Sequence, residues 1–260
     1  MEPLKLIKIN SKGELVKSWQ FFLIGQGLYQ GETTGTFDAD TKDATMAFQQ
    51  KHDLQADGVV GNKSFGAAMQ LGFGGIVDDR TDKSGEDFPP KPSFSPLTSN
   101  DARAGLFGKF SFVSKPVPGN PENIQIKGDW ESKNIVMVSI PQLKNIKGSD
   151  KVQFHRLAGN QLKNLWKDWE DAELLNLVLT WAGSFVPRFI RGSRTTLSNH
   201  SFGTAFDINV PWNPLGAVPA LVGQKGSVRE LVKIANDNGF YWGGHFTRLD
   251  GMHFEIAKLL

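Results

Sequence analysis

Leu15, Trp19, Phe22 and Leu23 recur at spacings of three and four, the repeat of a single apolar helix face, and Gly25 and Gly27 follow as its stop. A turn-rich stretch, Gly31 to Gly35, precedes a second helix that Asp40 or Thr41 is expected to cap, with Ala44, Ala47 and Phe48 turned inward. After the turn Asp57-Gly58-Val59-Val60-Gly61, a third short helix carries Phe65, Ala68 and Met69. Three short helices joined by glycine turns bury one small core, so residues 1–72 read as a helical domain. Residues 73–96 lose all periodicity. Glycines, then Asp78-Asp79-Arg80, then Pro89, Pro90, Pro92 and Pro96 mark a linker whose proline half is expected to be extended and semi-rigid.

From residue 97 to 260 the pattern is mixed. Ala102 to Phe107 reads as a short helix, and Phe110, Phe112 and Val113 as a strand. Ile135 to Ile140 reads as a strand stopped by Pro141. Leu162, Leu165, Trp166, Trp169, Leu174, Leu175 and Val178 keep helical spacing, as one long helix or as two with a break near Asp171. Ser184-Phe185-Val186, Ala205 to Val210 and His253 to Ile256 read as strands, and Val228 to Asn238 as a helix ended by Gly239. Helices and short separated strands without a βαβ rhythm predict an α+β fold: a small antiparallel sheet with flanking helices, preceded by the three-helix domain.

Composition narrows the chemistry. A chain of 260 residues, 39% hydrophobic and 22% charged, holds one large domain or two modest ones and is not disordered as a whole. The net charge of +2, with no lysine/arginine run, gives no reason to expect a nucleic-acid partner. No cysteine is present, which excludes disulfides, thiolate metal sites and a cysteine nucleophile. Met1-Glu2-Pro3-Leu4-Lys5 lacks the apolar core of a secretory signal, and no run approaches the roughly 18 apolar residues that cross a bilayer. The expectation is a protein made soluble in the cytoplasm, without membrane insertion or oligomerisation, that needs another agent to release it if it works outside.

Two clusters carry candidate chemistry. Ser198-Asn199-His200-Ser201-Phe202-Gly203-Thr204-Ala205-Phe206-Asp207 offers a histidine and an aspartate, and Asp250-Gly251-Met252-His253-Phe254-Glu255 offers a second histidine between two acids. If the clusters meet, His200, Asp207 and His253 supply three ligands for one zinc ion and leave the fourth position to water, the minimum for hydrolysis. Asp250 is then the nearby general base. Glu255 stands two positions after His253, on the same strand face, where it can hold a ligand or the substrate amine. Gly203 and Ala205 leave room for the backbone to pass close to the metal. Ser198 lacks a G-x-S-x-G elbow and reads as a hydrogen-bond partner of the His200 loop rather than a nucleophile. His245 is a cleft residue, an alternative ligand or a plain loop residue. His52 and His155 read as structural, and Trp212 and Trp242 as either stacking or core residues.

Residues 12–72 resemble the peptidoglycan-binding domain found beside many cell-wall hydrolases, through Thr34-Gly35-Thr36-Phe37, Thr41 with Ala47-Phe48-Gln49, and Asp57 to Gly61. They depart from it at Thr34 and Asp38, where the family usually has Asp and Gly, and at Phe65, where Trp is common. Residues 97–260 resemble the zinc D-alanyl-D-alanine carboxypeptidases and the related phage L-alanyl-D-glutamate endopeptidases. Their signature S-x-H-x-x-G-x-A-x-D stands at 198–207, and an acid three before a histidine stands at 250–253. The resemblance implies a zinc peptidase that cuts a bond of the peptidoglycan stem peptide, with peptidoglycan as partner, in the manner of a phage endolysin. It also implies an upstream arginine that stabilises the oxyanion, for which Arg188 is the first candidate, Arg191 the second and Arg194 a third. Aspartate at 250 is more like the endopeptidases. Two competing readings are a zinc-containing wall-binding protein without turnover, against which Asp250 argues, and an amidase, against which the signature argues.

Overall fold

Trp19 and Phe22 on α1 (Glu14–Gly25), Phe48 on α2 (Ala39–Lys51) and Phe65 on α3 (Asn62–Gln70) meet in one aromatic core, with Trp19 within 5.3–5.7 Å of Phe22, Phe48, Phe65 and Phe73. They sit in a computed structural model that describes residues 6–71, 73, 85 and 87–260; the glycine and acidic half of the expected linker, and Met1 to Lys5, lie outside the described residues. The chain divides into two compact units: Met1–Gly75 with Ser114–Ile124 and Phe189–Leu197, and Ile76–Val113 with Gln125–Arg188 and Ser198–Leu260.

The first unit repeats one device twice. Gln20, buried on α1, accepts from the Gly35 amide (2.9 Å) and donates to the Thr36 carbonyl (2.9 Å) and the Thr41 hydroxyl (2.9 Å). Gln49 on α2 does the same with the Gly58 amide (2.9 Å), the Val59 carbonyl (3.0 Å) and the Ser64 hydroxyl (3.0 Å). A buried amide that satisfies both ends of a turn ties each helix to the loop that starts the next one. The cap of α2 is Asp38, whose carboxylate accepts from the Thr41 amide at 2.8 Å, and not Asp40 or Thr41 as expected. The Thr41 hydroxyl is taken up by the Asp38 carboxylate and the Gln20 network instead.

The second unit is α+β. It contains α4 (Asn100–Phe107), a two-stranded ribbon of β1 (Ser111–Ser114) and β2 (Ile124–Lys127), and α5 (Trp130–Asn134). A second ribbon pairs β3 (Ile135–Ser139) antiparallel with β4 (Lys151–His155), with the short α6 (Lys144–Lys147) between them. Next come α7 (Gly159–Asp171), β5 (Trp181–Gly183), β6 (Ala205–Ile208), α8 (Val232–Asp237), β7 (Phe240–Trp242) and β8 (His253–Ile256). The last four strands form an antiparallel sheet in the order β5-β6-β8-β7. Phe206 and Phe254, directly opposite each other on β6 and β8, stack at 5.5 Å and pack on Trp166 and Trp169 of α7. The long helical pattern after residue 157 does break near Asp171, and a 3-10 turn at Leu175–Leu177 follows. Ser184 to Val186 is not a strand; the pairing lies one step earlier, at Trp181–Gly183.

Three local devices hold this unit. Asn209 ends β6 in the left-handed conformation (φ 54°), its Oδ1 accepting from the Leu179 and Thr180 amides and its Nδ2 donating to the Leu177 and Gly226 carbonyls. The proline half of the expected linker lies along the unit: Arg229 donates to the carbonyls of Asp87, Pro219 and Ala220, Asn236 donates to that of Pro90, and Phe94 meets Tyr241. His155, fully buried, donates through Nε2 to the Phe107 carbonyl (3.2 Å) and accepts at Nδ1 from the Leu157 amide (3.3 Å), so both bonds need the neutral ring. Burial lowers its pKa to about 4, against the pull of the Phe107 carbonyl. No helix among the described residues is long and apolar enough to cross a membrane.

Two outcomes follow for stability. Asn209→Ala should lose about 2–4 kcal/mol in urea unfolding with chelator present, because four hydrogen bonds and a tolerated left-handed residue go together; Asn209→Gly should recover about 1 kcal/mol of that by relieving the backbone alone. For His155 the unfolded chain takes up its proton near the ordinary value of 6.5, and the folded chain only near 4. Its contribution is therefore complete above 6.5 and is lost as pH falls through that window. Unfolding measured from pH ~7.5 to ~4.5 should show this loss in the wild type and a shallower slope in His155→Gln.

Candidate metal centre

The two clusters meet because β6 and β8 are neighbours in register. Asp207 lies directly opposite His253, and Ala205 opposite Glu255, so all four share the sheet face away from the Phe206–Phe254 stack. His200 arrives from the 3-10 turn Asn199–Phe202 just before β6. That turn closes with Gly203 in the left-handed region (φ 64°), where a Cβ would fall 2.8 Å from Ile135 Cδ1 and 3.2 Å from the His155 amide. The glycine of the motif is thus required twice, by its backbone angle and by the β3–β4 ribbon passing behind it.

His200 Nε2 lies 3.2 Å from Asp207 Oδ1 and 3.2 Å from His253 Nδ1, and His253 Nδ1 lies 3.0 Å from Asp207 Oδ1. The outer nitrogens fix the tautomers. His200 Nδ1 donates to the Ser184 carbonyl (2.9 Å), and His253 Nε2 donates to Glu255 Oε2 (3.0 Å). With both rings neutral, each turns a lone pair toward the carboxylate oxygen, and the three inward atoms are then all acceptors that only a positive charge can hold together. Such a set demands a cation. Donors about 2.0–2.1 Å from a tetrahedral zinc stand roughly 3.3 Å apart, close to the separations seen here, so the residues fit that ion. They are the one group of three or more potential ligands found together among the described residues.

The electrostatics express the same demand for positive charge, as affinity for a proton that a metal cation would displace. Burial alone would lower the His253 pKa, yet Asp207, Glu255 and Asp250 raise it to about 10. Burial would raise that of Asp207, but His200 and His253 hold it well below the carboxylate range. Asp250 is pushed upward by burial and by Asp207, against the pull of His253, Arg248 and Arg188. Its backbone is pinned on both sides, donating to the Gly243 carbonyl (2.9 Å) and accepting from the His253 amide (3.0 Å). Gly243 permits this approach, since a Cβ there would sit 2.5 Å from the Asp250 carbonyl oxygen. The Asp250 side-chain Oδ1 is buried without a hydrogen-bond partner. That leaves one carboxylate oxygen, next to the three converging side chains, with acceptor capacity to spare.

Of the expected arginines, Arg188 acts on Asp250. Its main chain is fastened by the motif's serines: the Arg188 amide donates to Ser201 Oγ (2.8 Å), and the Arg188 carbonyl accepts from the Ser198 amide (3.0 Å) and the Ser201 hydroxyl. Ser198 Oγ also accepts from the His200 amide (3.3 Å). Arg191 is engaged elsewhere, donating to buried Glu122 (2.6 Å) and to Asn120 (3.3 Å), and Arg194 feels the same Glu122. His245 contacts the proline segment, with Nε2 2.8 Å from the Pro89 carbonyl oxygen, and its ring lies 5.2 Å from buried Trp242. Trp212 carries Lys225 over its face at 5.4 Å. Sequence reasoning missed Ser184, whose contribution is a carbonyl and leaves no side-chain signal. It missed Arg248, two positions before Asp250 and buried, which a search for cations flanking the acid would have found. It also missed Arg103 and Asn199, which are joined to Glu255 only through the fold.

Comparison with known proteins supplies the context. Residues 191–256, which enclose both clusters, match the D-alanyl-D-alanine carboxypeptidase family, and residues 12–67 match the peptidoglycan binding domain. The crystal structure of the SleB N-terminal domain is similar at 32% identity over 25% of this chain and 90% of that one, with a TM-score of 0.25. No curated protein matches the chain. The chain therefore holds, in this order, a segment that matches the peptidoglycan binding domain and a segment that matches the D-alanyl-D-alanine carboxypeptidase family.

Proposed function

We propose that the protein is a zinc-dependent peptidase that cuts a peptide bond of the peptidoglycan stem peptide, with residues 1–72 holding it on the wall and residues 97–260 carrying the reaction. The observation that supports this reading most is the convergence of His200 Nε2, His253 Nδ1 and Asp207 Oδ1 within 3.0–3.2 Å beside the unsatisfied Asp250 carboxylate. Zinc, when bound, supplies a Lewis acid and acidifies water at neutral pH.

The chain's own groups do the rest. Asp250 Oδ1 takes the proton of the attacking water and returns it to the leaving amine, a task that suits a carboxyl raised above its usual range. Arg188 places positive charge where the oxyanion develops, on a main chain that Ser198 and Ser201 hold still. Glu255 and the Ser184 carbonyl keep the two imidazoles turned inward. The neutral form of this machinery, a site with the ligands but no base, would serve binding alone. Asp250 is what separates the peptidase from that alternative.

Digestion of purified wall with the intact chain, followed by mass spectrometry of the fragments with and without chelator, tests the reading. Loss of a terminal alanine identifies a D-alanyl-D-alanine carboxypeptidase; release of the stem from its sugar-side alanine identifies an L-alanyl-D-glutamate endopeptidase. No chelator-sensitive fragment of either kind would overturn it. His200→Ala, Asp207→Ala and His253→Ala should each lose bound zinc and activity together, and stoichiometric zinc in His253→Ala would refute the ligand assignment. Asp250→Asn should keep its zinc while turnover drops by about 10²–10⁴-fold. Near wild-type digestion by that variant would mean that another group is the base.

A further inference from the structure

Arg103 is the most deeply buried arginine of the second unit, 2% exposed, on the first turn of α4 and ninety-six residues before its partner in the motif. Burying a guanidinium is costly unless an anion compensates it. The anion here is not in contact. Arg103 Nε donates to Asn199 Oδ1 (2.9 Å), Asn199 Nδ2 donates to Glu255 Oε2, and the same Glu255 oxygen accepts from His253 Nε2 (3.0 Å). All four side chains are at least 94% buried, with relative exposures of 2%, 3%, 3% and 6%.

Polarity runs one way along this series. A guanidinium only donates, so the Asn199 oxygen must face it and the Asn199 amino group must face Glu255. A carboxylate only accepts, so His253 must carry its proton on Nε2. Nδ1 is then the nitrogen that faces Asp207 and His200, free to give its lone pair to a cation. The amide is thus fixed from both ends, by the Glu255 carboxylate on its amino group and by the guanidinium on its oxygen; without the guanidinium the buried oxygen loses its donor and the hold on Glu255 rests on one bond.

We propose that Arg103 is a positioning residue for the metal centre, acting through Asn199 and Glu255 to hold His253 with Nδ1 toward the ion. The inference rests on the metal-site reading above, and the test separates the two. Zinc affinity of the full chain is measured by chelator competition, and the ligand field is read from the visible absorption of the cobalt(II)-loaded protein; circular dichroism confirms folding. Arg103→Met should weaken zinc binding by about 10–100-fold and shift the cobalt spectrum. Arg103→Lys, which keeps a buried cation that donates to the Asn199 oxygen, should restore most of both. Asn199→Ala should reproduce the loss, and Arg103→Met/Asn199→Ala should be no worse than Asn199→Ala alone, because the two act in series. A folded Arg103→Met protein with wild-type affinity and spectrum overturns the inference, as does full additivity in the double variant. If Arg103→Met does not fold, Asn199→Ala with unchanged affinity and spectrum overturns it equally. If the wild type fails to bind zinc, or His200→Ala binds as tightly, the metal-site reading itself is wrong.

Discussion

The antiparallel pairing of β6 with β8 is the constraint on which the rest of the second unit depends. It sets Asp207 opposite His253 and Ala205 opposite Glu255, and with the same stroke sets Phe206 on Phe254 on the opposite face. A slip of β8 by one residue would turn its side chains over, burying Glu255 and the His253 imidazole among Trp166, Trp169 and the phenylalanines. The stacked rings and the ligands thus specify one register from two sides. The hydrophobic effect that closes the core is also what holds the donor atoms at 3.0–3.2 Å. The ends of β6 are secured separately, by the left-handed Gly203 at the start and the left-handed Asn209 at the stop.

The parts of this arrangement that were legible in the sequence are those written in side chains at short range. The S-x-H-x-x-G-x-A-x-D run and the acid–x–x–His–x–Glu run carry the side chains that converge, and the alternation of Phe206 with Asp207 and of Phe254 with Glu255 gives away two strands with one apolar and one polar face. Helix stops at Gly25 and Gly239 are equally local. What was not legible depends on partners far away. β4, with alternation but flanked by Asp150 and a histidine, is a strand because β3 lies beside it. Trp181–Gly183 pairs with β6 across a bulge, and its three residues hold no period to read. The cap of α2 is Asp38 rather than Asp40 or Thr41 because the helix begins at Ala39, which puts both inside its first turn, with the Thr41 amide and hydroxyl given to the Asp38 carboxylate.

Composition is silent on one point for a related reason. Proline and acid without periodicity describe a segment that makes no structure of its own, and that much holds for residues 87–94. It does not describe what other elements do to the segment. Arg229 gathers the carbonyls of Asp87, Pro219 and Ala220, and Val222 donates to the Asp87 carboxylate at 2.7 Å. Proline-rich backbone is well suited to this, since it has few amide donors of its own to satisfy and many carbonyls to offer. The same accounting explains Gln20 and Gln49, each a side chain completing the hydrogen bonds of a loop that cannot complete its own.

The two imidazoles of the centre are held by different means, and the difference decides how the site responds to change. His200 leans on a main-chain carbonyl, that of Ser184, whose own hydroxyl is tied to the Gln153 carbonyl at 2.6 Å. No substitution removes a carbonyl, and it brings no charge that must be balanced. His253 leans on Glu255, a buried carboxylate. That support is stronger for being charged, and for the same reason it cannot stand alone in a dry interior. It takes a donor, Asn199, and the donor's own oxygen takes a bond from the Arg103 guanidinium behind it. The backbone-held side of the centre is therefore robust to sequence, whereas the charge-held side reaches back through the fold to α4, so that a residue far from the motif in sequence becomes part of its geometry.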